Sequence, residues 1–212
     1  MPDHLLVIRS AATDYDVQGR VRGSLDIPPC AEGRAEAKAV ARRLAERPPV
    51  ALFAGPTACA TETARIIGDR CGLVPRRLDQ LGNLDLGLWQ GRLVEEIRRL
   101  QPRVHRQWQD DPWSVVPPEG ELLDDARGRI EEALERICKR HPTGRVAVVV
   151  PAPLDSLVRW LVSGEPLGDL WVRDPRRDPV AELPVAAQWR PDLGPPPLPA
   201  AAVSAPTGVP SG

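Results

Sequence analysis

Three short apolar runs, "LLVI" at 5–8, "VALFA" at 50–54 and "RVAVVV" at 145–150, are separated by segments of helical periodicity. An unbroken run of this kind suits a strand covered on both faces in a parallel sheet, because a strand with one wet face alternates apolar and polar residues. Parallel strands need crossover helices. Ala37, Val40, Ala41 and Leu44 share one helical face within 32–46, where "RPP" ends the element, and Ala60, Ala64 and Ile67 share another before Gly72. Leu122, Ala126, Ile130, Ala133, Leu134 and Ile137 define a long helix over 122–140, and Leu154, Leu157, Val158 and Leu161 mark a further one. "LVPRRL" reads as a short strand, and 171–189, interrupted by Pro175, Pro179 and Pro184, as edge strands. The alternation predicts an α/β layered fold. In such sheets ligands bind beyond the carboxyl ends of the strands, which selects residues 9–13, 55–59 and 151–154.

The length of 212 residues suits one domain with a tail, expected here as a domain over 1–193 and a tail over 194–212. The tail carries no charge and six prolines among nineteen residues, a composition that predicts disorder; its "PPPLP" is also a candidate polyproline recognition segment. Two polar helical pieces, around 94–100 and 104–109, are followed by "DDPWSVVPPEG", so that about 92–119 reads as an inserted lid.

Lys and Arg number 28 against 29 Asp and Glu, which gives no general electrostatic reason to expect nucleic acid or an anionic membrane as a partner. No apolar run approaches a membrane span, and the N-terminus shows no secretory pattern; a soluble, cytoplasmic protein is expected. Cys30, Cys59, Cys71 and Cys138 form no C-x-x-C pair. Free thiols are therefore expected, with no zinc and no other cofactor.

The loops at the three strand ends carry a further pattern. "RSAATDYDVQGRVRGSLDIPP" resembles the opening of the histidine phosphatase superfamily, also called phosphoglycerate mutase-like, in which a strand leads into Arg-His-Gly-Glu-Thr and a segment similar to "DYNVEGRVQGSLDIPL". The match falls on Arg9, Thr13, Asp14, Tyr15, Gly19, Arg20, Gly23, Asp26 and Pro28. "AGPTACATETARII" resembles "SSPLRRARETAEII", "LGNLDLGLWQG" resembles "LREIDFGDWEG", "PPEGEL" resembles "PPGGES", and "VVPAPL" resembles "VVSHGG". The resemblance covers about 4–190 and implies a three-layer α/β/α sandwich with a mostly parallel central sheet and a helical lid insertion.

It also implies a mechanism: one histidine attacks phosphorus, a second histidine and two arginines hold the phosphoryl oxygens, and a carboxylic acid protonates the leaving oxygen. Ser10 stands at the nucleophile, Cys59 at the second arginine, Asn83 at the acid and Ala152 at the second histidine; only Arg9 matches. Ala11 and Ala12 replace Gly and Glu, and Pro151 and Pro153 remove backbone donors beside Ala152. Arg9 and Thr13 are the candidate ligand-binding residues, and the positive charge of the pocket is expected to fall from about three arginine or histidine groups to one.

Few of the remaining residues can stand in for the missing groups. His4 and His141 belong at the opposite end of the sheet and His105 in the lid; all three are expected to be ordinary surface histidines. Cys59 and Arg65 satisfy a C-x5-R spacing, but within an apparent helix that also carries Glu62, and a thiol near a helix start is the plainer reading. Asp85 and Glu121 are candidate acids or structural carboxylates, Arg9 is an anion ligand or a buried partner of Asp14, Asp16 or Asp85, and Trp89, Trp108 and Trp113 are core or an interaction surface. Three functions follow: a catalytically inactive pseudophosphatase that binds a small anion or a protein partner; a weak or altered hydrolase using Ser10 or Cys59; and a partner-binding module acting through lid and tail.

Overall fold

The computed structural model describes residues 2–185; the tail expected over 194–212 lies outside the described residues. Five strands, β1 (His4–Arg9), β2 (Ala51–Ala54), β3 (Arg76–Arg77), β4 (Arg145–Val150) and β5 (Val180–Pro184), form one sheet in the order β3-β2-β4-β1-β5. The first four run parallel and β5 is antiparallel to β1. Pro184 is the last residue of β5, an edge strand, where a missing backbone donor is tolerated.

The apolar runs divide by alternation between two cores. Leu5, Val7, Phe53, Val146, Val148 and Val150 face α6 (Leu123–Arg140) and α7 (Leu154–Ser163); Leu6, Ile8, Leu52, Ala54, Ala147 and Val149 face α2 (Ala31–Ala45) and α3 (Ala58–Cys71). Each fully buried Leu, Ile or Val contributes about 1.5–3 kcal/mol of transfer free energy, so both faces anchor the layered arrangement. The α/β architecture expected from the sequence is the one observed.

Register fixes the mouth of the sheet. Arg9 lies opposite Val150, while Ile8 and Ala54 both pair with Val149. The loops leaving β1, β2 and β4 therefore emerge side by side.

A short helix, α1 (Asp14–Gln18), follows β1 and is absent from the sequence reading. Five residues are too few to set a periodicity. It starts in a capping box, with Thr13 accepting from the Asp16 amide and the Asp16 carboxylate accepting from Thr13.

The insertion folds as α4 (Val94–Leu100) and α5 (Pro102–Asp110), and Ile97 and Trp108 join the same core as the sheet. Trp89, Trp108 and Trp171 form an aromatic cluster with ring centroids 4.8–6.0 Å apart. His105 corrects an expectation: it is buried, stacked parallel on Trp171 at 5.1 Å, and its carbonyl accepts the Trp171 indole N–H at 3.0 Å. Its position on the inner face of α5, one turn before Trp108, removes it from the surface. Trp113 packs on Trp160 at 4.8 Å, so the lid tryptophans serve the core. Among the described residues no helix is long and apolar enough to cross a membrane.

Candidate functional site

The loop after β1 has four consecutive backbone N–H groups, at residues 10–13, that point to a ready-made anion cradle only if they are free. None is. Ser10 N–H continues the ladder to Val150 O at 2.8 Å, Ala11 N–H donates to Thr63 Oγ1 at 3.0 Å, Ala12 N–H to Glu36 Oε2 at 3.3 Å and Thr13 N–H to Asp16 Oδ2 at 2.7 Å. The loop is pressed onto α2: a Cβ on Gly33 would stand 2.1 Å from the Ala12 carbonyl oxygen, a contact that admits only glycine.

Ser10 is only 1% exposed, with its Oγ 3.3 Å from Cys59 Sγ. Cys59 lies inside α3, equally buried, and its thiol donates to Ala11 O at 2.8 Å; burial pushes the thiol above its ordinary range, while Arg22 pulls the other way. The thiolate is the reactive form, so this environment favours an inert thiol. Arg65 is exposed and paired with Asp69, away from Cys59, and the backbone between them is helical rather than a phosphate loop.

Arg9 donates from Nη1 to Asp174 O and from Nη2 to Arg177 O, both at 2.8 Å. Its partners are the carbonyls of the segment before β5, and the three acids considered from sequence are elsewhere: Asp16 pairs with Arg22 at 3.3 Å, Asp85 accepts from Gly87 N–H at 3.0 Å, and Asp14 has an open helix-start position on α1. Thr13 is fully buried with its hydroxyl donating to Asp16, which places it as the cap of α1. Glu121 accepts from Asp85 N–H and from Arg129, both at 2.8 Å, as a structural carboxylate.

The expectation of a single positive charge is corrected by Arg22. Its guanidinium is buried, donating to Asp16 Oδ2 and, at 3.1 Å, to Ala152 O; the same carbonyl accepts Asn83 Nδ2 at 3.0 Å. Asn83 also donates to Gly23 O at 2.7 Å. Arg159, Arg173 and Arg177 add further guanidiniums around Asp155. These charges come from positions outside the superfamily motif, so the motif gives no sign of them.

The family model described as histidine phosphatase superfamily (branch 1) matches residues 5–177. The chain belongs to the histidine phosphatase superfamily. Phosphoserine phosphatase 1 of Hydrogenobacter thermophilus is 30% identical over 145 residues, 68% of this chain and 69% of that protein. Glucosyl-3-phosphoglycerate phosphatase of Mycobacterium tuberculosis is 32% identical over 138 residues, 65% of this chain and 61% of that protein. A solved mycobacterial glucosyl-3-phosphoglycerate phosphatase superposes with a TM-score of 0.72 at 28% identity, covering 80% of this chain and 86% of that one.

In superfamily terms, Arg22 occupies the place of glutamine in the "GRVQG" segment. It reaches Ala152 O in the loop after β4 and lies near Cys59 in the first turn of α3, the positions at which the resemblance implies a second histidine and a second arginine. The imidazoles lie elsewhere: His4 begins β1 and His141 follows α6, both away from the mouth, and His105 is held by Trp171.

Proposed function

We propose that this superfamily member does not transfer phosphoryl groups and uses the mouth of its sheet for binding. The observation that carries this reading is the internal satisfaction of the donors: the four N–H groups of residues 10–13 and the terminal nitrogens of Arg9 all have partners within the chain. A phosphoryl group entering here finds no imidazole nucleophile, and it must displace hydrogen bonds already made, of which those involving Glu36, Asp16 and the Arg9 guanidinium are each worth about 1.5–3 kcal/mol. Weak anion binding through Arg9 belongs to the same reading and requires the segment before β5 to yield. A protein partner on the lid or tail remains part of it, as does a cytoplasmic location.

The names of the relatives favour a second reading, a phosphoric monoester hydrolase of altered or weak activity using Ser10 or Cys59. Steady-state hydrolysis of p-nitrophenyl phosphate separates the two. No turnover above buffer is expected; turnover that vanishes in Ser10→Ala or Cys59→Ala establishes the second reading and removes the first.

A further inference from the structure

The chain between Trp171 and β5 forms an arch over residues 172–178 at the mouth of the sheet. Both flanks are set in the core, through Trp171 and Val180, and the Arg9 N–H holds Pro179 O at 2.8 Å. The apolar side chains of the arch itself, Val172 and Pro175, are both exposed. Polar ties hold it instead. Arg9 donates to Asp174 O and Arg177 O, Arg159 donates to Asp178 O at 2.8 Å, and Arg43 donates to the Asp178 carboxylate at 2.8 and 2.9 Å. From the arch, Arg173 reaches Glu36 at 2.7 Å, and Arg177 reaches Ser156 and Glu165 at 2.7 and 2.8 Å. A segment fastened by polar ties, with apolar anchors only at its flanks, opens at a lower free energy than the packed sheet beneath it.

The contact with Arg9 has a chemical meaning beyond fastening. Its Nη1 and Nη2 each meet one carbonyl oxygen at 2.8 Å. A guanidinium fork takes two oxygens of an oxyanion with the same pair of donors. The two carbonyls are neutral, and the Arg9 Nε stays buried without an acceptor, so the arch satisfies this arginine less fully than a charged guest does.

We propose that the arch is an autoinhibitory strap: the carbonyls of Asp174 and Arg177 occupy Arg9 in place of an oxyanion, and the oxyanion binds only when the arch has lifted. The proposal rests on the reading of Arg9 as a weak anion site and adds what controls that site. The apparent affinity is then the intrinsic affinity multiplied by the lifted fraction, so loosening the arch at a point remote from Arg9 tightens anion binding. Arg43 is such a point. Its pair with Asp178 is exposed on both sides, and Arg43→Gln removes a positive charge. Simple electrostatics predicts weaker anion binding by that variant, whereas release of the arch predicts tighter binding.

Isothermal titration of the full chain with inorganic phosphate at constant ionic strength is expected to give Arg43→Gln a Kd about two- to fivefold tighter than that of the native chain. Hydrogen–deuterium exchange supplies the second measurement. Uptake over residues 172–178 is expected to be faster in Arg43→Gln, and to rise in the native chain when phosphate replaces chloride, while uptake in β1 stays level. A ligand that simply rests against the arch slows its exchange, so the direction of the change separates the two cases. Equal or weaker phosphate binding by Arg43→Gln, or arch uptake that falls or stays level as phosphate binds, overturns the strap and leaves anion binding at the mouth standing. Absence of phosphate heat with both chains overturns the strap and the anion site together.

Discussion

The guanidinium of Arg22 donates to the carbonyl oxygen of Ala152 at 3.1 Å, so an arginine from the loop after α1 is tied to the loop where the superfamily pattern carries its second histidine. Asn83 Nδ2 shares that carbonyl, and Asp16 balances the charge of Arg22. Arg22, Asn83 and Asp16 thus tie the loop after β4 to the loops around residues 22 and 83. Reversing one substitution leaves the rest of that network in place.

Ser10→His is accordingly expected to give no measurable hydrolysis of p-nitrophenyl phosphate. Catalytic groups that act as a unit lose nearly the whole effect when any of them is missing, and under the proposed non-catalytic reading the second histidine, second arginine and acid are missing together. A rate within about tenfold of a superfamily phosphatase under the same conditions would show that the network opens readily.

Asp155 supplies a pH test. Burial raises its carboxyl above the usual range in spite of Arg9, Arg159, Arg177 and Arg173. The folded state then holds a proton that the unfolded chain releases, so this group's contribution is full below the ordinary carboxylate pKa and is lost as pH rises toward the folded value. Asp155→Asn removes that dependence. The Tm of the variant relative to the native chain is expected to increase as pH is raised from about 4; a difference that shrinks with pH means that the arginines outweigh burial.

Two glycines give opposite outcomes. Gly33→Ala forces a methyl group into the Ala12 carbonyl and is expected to cost at least about 2 kcal/mol, read from urea unfolding. Gly128, on the exposed face of α6, has nothing within 4 Å of an added Cβ, so Gly128→Ala is expected to stabilise by about 0.5–1 kcal/mol.

Trp171 ties the arch to the insertion through Trp89, Trp108 and the carbonyl of His105. Trp171→Ala is expected to cost about 3–5 kcal/mol in urea unfolding. A loss below about 1 kcal/mol shows that these rings repack without it.

The strands and long helices were legible because the runs at 5–8 and 145–150 and the spacing from Leu122 to Ile137 each report a local period. Membership of the superfamily was legible because its loop motifs keep their order in the chain. Arg22 and Arg177 were not. Their roles come from contacts across the fold, to Ala152 and to Ser156, which no local pattern records. His105 was misplaced for a related reason: one polar residue on a short helix gives no sign of the face it takes until Trp171 arrives from a distant part of the chain.

The most direct test is intact-mass spectrometry of the protein during exposure to acetyl phosphate, followed by removal of the donor. The polypeptide is expected to keep its unmodified mass throughout. A covalent phosphoryl adduct that forms, decays once the donor is gone and is absent from Ser10→Ala or Cys59→Ala contradicts the account.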